Sequence, residues 1–215
     1  MTKKLIAIIG PAGVGKTSII KELKKQIELD YPEIKLNCLF EKEKYPFLDN
    51  QYNDKKKWAF ITQIDFLTLR VRELYAEYTT NDENKLIITD RLYLDDYLYL
   101  SSFYQEKSIT KKEYKCYNLL FKKYKQMFVE EKIIYNYVFV LKADFNIILD
   151  RLNKRNRSPA EIEKNKEYWK KQYDLYFNDD RHLNLIKKNV KNLTIIDNNK
   201  CINKTVEKIM NIINL

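Results

Sequence analysis

Three glycines occur among the 215 residues, and they are Gly10, Gly13 and Gly15. They fall in the run Gly10-Pro11-Ala12-Gly13-Val14-Gly15-Lys16-Thr17-Ser18. The chain makes its other turns with Asn, Asp and Pro, so only here does it need several residues without a Cβ. Such a run can cradle phosphate. Glycines let backbone N–H groups turn inward onto phosphate oxygens. The N-terminus of a following helix favours the anion. Lys16 would reach the terminal phosphates, and the Thr17 hydroxyl would hold Mg²⁺. The plainer alternative is a glycine-rich strand-to-helix turn followed by a chance Lys-Thr. The flanking residues favour the cradle, because Leu5-Ile6-Ala7-Ile8-Ile9 reads as a strand buried on both faces. Beyond Thr17, Ile20, Leu23 and Ile27 recur at helical spacing.

A bound triphosphate asks for more. Phosphoryl transfer wants a base for the acceptor hydroxyl, a carboxylate near the metal ion and arginines on the phosphates. Glu41 can be the base, and Asp90 can contact the metal through water. Arg91 can reach the acceptor oxygen and the phosphates. Arg151, Arg155 and Arg157 can close over the triphosphate as a lid at about 151–163, although a solvated basic face with Lys154 would read the same. Gln63 and Arg70 lie within or beside the apolar stripe of a long helix. Polar groups there need partners unless they sit at the stripe's edge.

The elements that must place these residues alternate. Strands are expected at 4–9, 36–40, 85–89, 133–141 and 193–196. Helices are expected at 16–29, 54–79, 92–106, 110–131, 145–155, 161–177, 179–188 and 203–213, and 42–53 reads as loop. The stripe of the helix at 54–79 is Phe60, Ile64, Leu67, Val71, Leu74 and Tyr78. Asp144 is placed to cap the helix at 145, and Pro159 to end it. The pattern predicts an α/β chain of the phosphate-loop NTPase fold: a five-stranded parallel sheet flanked by helices, with a short lid, in one domain over 1–215. Glu41, Asp90 and Arg91 then follow the carboxyl ends of strands, where ligands collect in such sheets.

Composition narrows the uses. Cys38, Cys116 and Cys201 are far apart and odd in number, without metal spacing, which suggests buried or free thiols in a reducing cytoplasm. The single histidine, His182, reads as a surface residue of a polar helix. No apolar run approaches the ~18 residues of a membrane span, and the start is too short for a signal peptide. The net charge of +10 is spread as Lys among Glu and Asp, so no nucleic-acid partner is expected. No glycine follows Gly15, which excludes the Asp-x-x-Gly of a GTPase switch and an ABC-type signature. A small kinase acting on a small acceptor remains.

At this point the residues resemble those of the deoxyribonucleoside kinases, from Gly10 to the lid near Glu161. A glutamate closes strand two of that family, as Glu41 does here. Tyr52 precedes Trp58-x-Phe60-x-x-Gln63, and Arg70 follows Gln63 by seven residues. Asp90-Arg91 closes strand three, Asp96 follows Arg91 by five, and the lid reads Arg151-x-x-x-Arg155-x-Arg157. The chain departs from the family at Leu92, where serine is usual, and at Leu100, where an aromatic stacks on the base, with Tyr99 beside it. Its lid glutamate stands one residue further on, with Glu163 as an alternative to Glu161.

The resemblance implies transfer of the terminal phosphate of ATP or another nucleoside triphosphate, with Mg²⁺, to a deoxynucleoside 5′-hydroxyl, a salvage activity. It implies that Glu41 is the general base, that Gln63 pairs with the base edge, and that Tyr52 and Glu161 hold the 3′-hydroxyl. An Arg70–Asp96 pair accompanies purine and cytosine substrates in that family. A homodimer through the helices at 92–131 is also implied.

Two other readings stay open on residues alone. A thymidylate kinase would use Arg70 and Arg91 on a monophosphate, but the chain has no Ser/Thr-x-x-Ala-Tyr-Gln after Arg91. It also has no acidic residue between Gly10 and Gly13. A nucleotide-dependent nucleic-acid binder would need a clustered basic face with interleaved aromatics. The many tyrosines fall instead at helical spacings that suit cores and interfaces.

Overall fold

The computed structural model describes residues 3–41, 45–82, 84–154 and 159–215, the side chains of 159–165 excepted. The elements run β1 (Lys4–Ile9), α1 (Lys16–Asp30), β2 (Lys35–Leu39), α2 (Leu48–Asn53), α3 (Lys55–Tyr78), β3 (Lys85–Asp90) and α4 (Tyr93–Gln105). They continue α5 (Lys111–Glu130), β4 (Tyr137–Lys142), α6 (Phe145–Asn153), α7 (Pro159–Phe177), α8 (Asp180–Lys187), β5 (Asn192–Asp197) and α9 (Ile202–Ile213). These residues sort into two compact units. One holds the described residues of Met1–Phe40, Asp82–Arg91 and Tyr135–Leu215, and the other those of Glu41–Asn81 and Leu92–Ile134.

The first unit contains a five-stranded sheet of order β2-β3-β1-β4-β5. Every pair in it is parallel, with Ile8 beside Asp90 and Ile9 beside Val140. This is the expected α/β fold with helices flanking a parallel sheet. Parallel strands are connected by crossovers that cover their faces, so β1 and β3 are buried along almost their whole length. The core around them joins Ile6, Ile8, Ile19, Leu23, Phe139, Ile148, Trp169 and Ile209. Strand order runs in opposite directions on the two sides of β1, and in open parallel sheets that switch is where ligands bind beyond the carboxyl ends.

The second unit is helical. α3 packs against α2, α4 and α5, and α4 packs against α5. Asp54 caps α3 by accepting from the Lys57 N–H at 3.2 Å, and Thr110 and Glu113 form a reciprocal cap on α5. Aromatic rings fill the space between α4 and α5: the Tyr93 and Phe128 rings meet edge-on at 4.8 Å, and Tyr97 stacks on Phe121 at 4.7 Å.

Several local expectations are corrected. The stretch 42–53, read as loop, contains α2, because packing on α3 orders a stretch whose own residues signal a turn. The fourth strand begins at Tyr137 rather than 133. Lys132 turns the chain at φ 55, and Asn136 exchanges hydrogen bonds of 2.8 Å with Leu5 before pairing starts. Pro159 opens α7 instead of ending the helix before it, which stops at Asn153; proline's missing N–H costs nothing at a first helical position. Asp144 stands at the N-cap of α6 without a side-chain cap bond, and its N–H donates instead to Asn199 Oδ1 at 2.7 Å. His182 is buried, not superficial. Its Nδ1 lies 3.1 Å from the Leu175 carbonyl, and its ring packs on Tyr176. The three cysteines are free. Among the described residues no helix is long and apolar enough to cross a membrane.

Candidate active site

Where β1 ends, the first unit places the glycine run expected to cradle phosphate. Gly10 has φ +144, and a Cβ there would stand 2.8 Å from the Leu141 carbonyl oxygen, so only glycine lets the loop lie this close to β4. Gly15 is the N-cap of α1 in the left-handed region, at φ +104, with no side chain capping the helix. The first N–H groups of α1 are therefore left for an anion, as the dipole favours. Lys16 is buried, and its ammonium donates to the carbonyls of Gly10 and Pro11 at 3.2 and 3.3 Å.

Thr17 and Asp90, both expected at a metal ion, are brought together. The Thr17 hydroxyl donates to Asp90 Oδ2 at 2.7 Å. Asp90 Oδ1 is buried without a hydrogen-bond partner among the described residues. Hydroxyl and carboxylate oxygens are the hard donors that Mg²⁺ takes, so these residues fit that ion. Next to them Arg91 is held at φ 84, a costly backbone conformation for a residue with a Cβ. Two bonds maintain it: its N–H donates to the Ile8 carbonyl at 3.1 Å, and its carbonyl accepts from the Thr89 hydroxyl at 2.8 Å.

The loop is braced by Arg151 and by Asn198, which sequence reasoning missed. Arg151, expected over the triphosphate, donates to the carbonyls of Val14 at 3.0 Å and Asn198 at 2.7 Å. Burial lowers its pKa from the usual guanidinium value. Asn198 donates its side-chain N–H to Val14 O at 2.7 Å and accepts from the Thr205 hydroxyl at 2.9 Å. Asn198 follows β5, where an Asp-Asn-Asn run reads simply as a turn, so no signal in the sequence singled it out.

The second unit gathers a charged cluster. α3 carries Arg70 and α4 carries Asp96, and the two meet in a close ion pair. A second guanidinium nitrogen lies 3.6 Å from Glu41 Oε1. Burial alone would depress the guanidinium's pKa; Asp96 first and then Glu41 outweigh it, and the net shift is upward. The adjacent aspartates divide the work. Asp95 turns back to accept from the Leu92 N–H at 3.3 Å, which fixes the start of α4 and leaves Asp96 for Arg70. Tyr117 of α5 is fully buried; burial foremost, and then the charge of Asp96, raises its pKa well above the phenol value.

Gln63 is 2% exposed. It lies on the buried face of α3 with Ala59, Thr62 and Leu67 rather than at its edge. Its Oε1 has no hydrogen-bond partner among the described residues, an expensive arrangement unless a ligand supplies the donor. Tyr52 stands on α2 and is exposed. Arg155, Arg157 and the side chains of Glu161 and Glu163 lie outside the described residues.

Known proteins resemble this chain in sequence and in fold. The sequence profile of the deoxynucleoside kinase family matches residues 6–215. A deoxyadenosine/deoxycytidine kinase of Bacillus subtilis (strain 168) is 25% identical over 214 residues, covering 97% of this chain and 93% of its own. A deoxyguanosine kinase of the same organism is 26% identical over 156 residues, covering 73% and 69%. Structures of deoxyadenosine kinase from M. mycoides superpose well. The one with bound dCTP has a TM-score of 0.73 at 25% identity, covering 98% of each chain. The one with bound dATP has a TM-score of 0.72 at 25% identity, covering 98% of this chain and all of that one. These matches settle the acceptor class that the residues had left open between nucleoside and monophosphate. With the family profile matching residues 6–215, this chain belongs to the deoxynucleoside kinase family, phosphotransferases that phosphorylate deoxynucleosides.

Proposed function

We propose that this kinase moves the terminal phosphate of ATP, or of another nucleoside triphosphate, to the 5′-hydroxyl of a purine deoxynucleoside or deoxycytidine. The observation that carries the substrate class is the Arg70 guanidinium held between Asp96 and Glu41. The relatives named above, which act on deoxyadenosine, deoxycytidine or deoxyguanosine, support it. Glu41 takes the proton of the 5′-hydroxyl as that oxygen bonds to the terminal phosphorus. The bond from phosphorus to the bridging oxygen breaks and releases the diphosphate. Arg70 orients Glu41, and Asp96 orients Arg70. Gln63 offers the base edge an acceptor in Oε1 and a donor in Nε2. Tyr52, with Glu161, holds the 3′-hydroxyl.

On the donor side the backbone of Gly10–Ser18 and the Lys16 ammonium hold the phosphates. Thr17 and Asp90 would hold Mg²⁺, which when bound neutralises phosphate charge. Arg91 reaches the acceptor oxygen and the phosphates. Arg155 and Arg157 add positive charge to the triphosphate, and Arg151 acts on it through the loop that it braces. A homodimer completes the proposal, with exposed Leu119 and Val129 of α5 as part of its apolar surface; sedimentation as a monomer at micromolar concentration would refute it.

The test is a transfer assay with ATP and Mg²⁺ over the four deoxynucleosides and dTMP. Transfer to deoxyadenosine, deoxyguanosine or deoxycytidine is expected, with Glu41→Gln slower by about 10²–10⁴-fold, the range for loss of a general base. Transfer confined to thymidine or dTMP would overturn the substrate class, and an unimpaired Glu41→Gln would remove the base.

A further inference from the structure

We infer that Asn198 is the positioning residue of the phosphate loop, with Thr205 setting its orientation and Arg151 sharing its target. The inference rests on the reading that this loop receives the donor's phosphates, and it adds what aims the loop.

The Val14 carbonyl accepts two side-chain donors, Asn198 Nδ2 at 2.7 Å and Arg151 Nη1 at 3.0 Å. A carbonyl has two lone pairs, so this one is fully engaged. The peptide unit is planar and trans, so a fixed Val14 carbonyl also fixes the Gly15 N–H, which points the opposite way. Gly15 is the N-cap of α1, where backbone N–H groups meet an anion. Holding the carbonyl away thus aims an N–H at the phosphate position before a nucleotide arrives.

Asn198 can do this in one orientation. The Thr205 hydroxyl donates to its Oδ1 at 2.9 Å, which leaves the amide nitrogen to face Val14. A flipped amide would set oxygen against oxygen at the same distance. The backbone of Asn198 is fixed as well. Its N–H donates to the Lys142 carbonyl at 2.7 Å, and its carbonyl accepts from Arg151 Nη2 at 2.7 Å. The residue is 1% exposed. The missing Cβ of Gly15 makes room for it, since a Cβ there would stand 2.9 Å from Asn198 Nδ2.

The experiment separates aiming from general support. Binding of ATP with Mg²⁺ is measured by calorimetry, and KM for ATP and for the deoxynucleoside by transfer kinetics. The proteins are the wild type, Thr205→Val, Thr205→Ser, Asn198→Asp and Lys16→Ala. Thr205→Val is expected to weaken ATP binding about fivefold, the value of one net hydrogen bond. Asn198→Asp keeps the volume but sets a carboxylate against the Val14 carbonyl, and is expected to weaken ATP more. KM for the deoxynucleoside should not move, and Thr205→Ser, which keeps the hydroxyl, should restore ATP binding. If Thr205→Val and Asn198→Asp bind ATP as the wild type does while Lys16→Ala does not, the role of Asn198 is refuted and the loop's role stands. If both KM values rise together with a fall in Tm that Thr205→Ser does not repair, Asn198 is only structural and the inference falls. If Lys16→Ala binds ATP like the wild type, the donor-loop reading itself falls.

Discussion

Replacing Asp96 by alanine tests how much the fold depends on the charged cluster. Asp96 is 2% exposed at its side chain and Arg70 11%, so the substitution leaves a guanidinium in a place that water barely reaches. Removing one partner of a buried pair costs about 3–5 kcal/mol. Glu41 remains 3.6 Å from the guanidinium, but 28% of its side chain is exposed, so it offsets only part. The expected loss is near the lower end, about 3 kcal/mol. For a chain of this length that corresponds to a fall in Tm of roughly 6–12 °C.

The assay is urea unfolding at neutral pH for the wild type, Asp96→Ala, Arg70→Leu and the double variant. The double variant, with no charge left to bury, should lie within about 1 kcal/mol of the better single variant rather than at the sum. A coupling energy of about 2 kcal/mol or more is the signature. A double variant that costs the sum of the two, or an Asp96→Ala loss below about 1 kcal/mol, would show that the pair is not a buried, mutually dependent unit. Activity losses at either position are then to be read against the stability they remove.

Gly10→Ala should abolish ATP binding and destabilise the protein by more than about 1 kcal/mol, because its Cβ would press on the Leu141 carbonyl; unaltered ATP binding by calorimetry would refute this. Asp90→Asn should raise the Mg²⁺ concentration for half-maximal transfer by about tenfold, roughly the value of a charged ligand interaction, and an unchanged Mg²⁺ titration would remove Asp90 from the metal site. Burial pushes the Cys38 thiol from 9.0 up to about 11. The folded thiol therefore keeps its proton when the unfolded one has lost it, so its contribution is intact below pH 9 and falls as pH rises from 9.0 to about 11. Cys38→Ala should flatten that part of the stability curve, and thiol labelling at pH 8 should reach exposed Cys116 and Cys201 before Cys38.

The strand, glycine turn and helix from Lys4 to Asp30 were legible because they follow one another and each carries its own local signal. Arg70 and Asp96 could be paired from spacing only through a family pattern, since nothing in a helix period says which neighbour a buried arginine meets. Gln63 illustrates the limit of a stripe. The apolar pattern of α3 left it within or beside the stripe, and the helix buries Gln63 with Ala59 and Thr62 in its first half. α2 was invisible because Pro46 and the polar residues around it signal a turn, and the helix depends on tertiary contact. His182 looked superficial because its helix is polar, but a ring that donates one bond to a backbone carbonyl and packs on Tyr176 is cheap to bury. Asn198 and Val14 are 184 residues apart, and no local preference hints at their bond.

That separation has a consequence for how the protein is made. Synthesis runs at about 5–20 residues per second, so roughly 10–40 s pass between the addition of Val14 and that of Asn198. During that interval β3 and β4, which flank β1 in the finished sheet, are added, while the Val14 carbonyl still lacks the amide of Asn198. Until Asn198 is added, the Val14 carbonyl has at most one of its two side-chain donors, so the loop is held less firmly for a nucleotide. The glycine run is thus made well before β5 and α9, the elements on either side of Asn198.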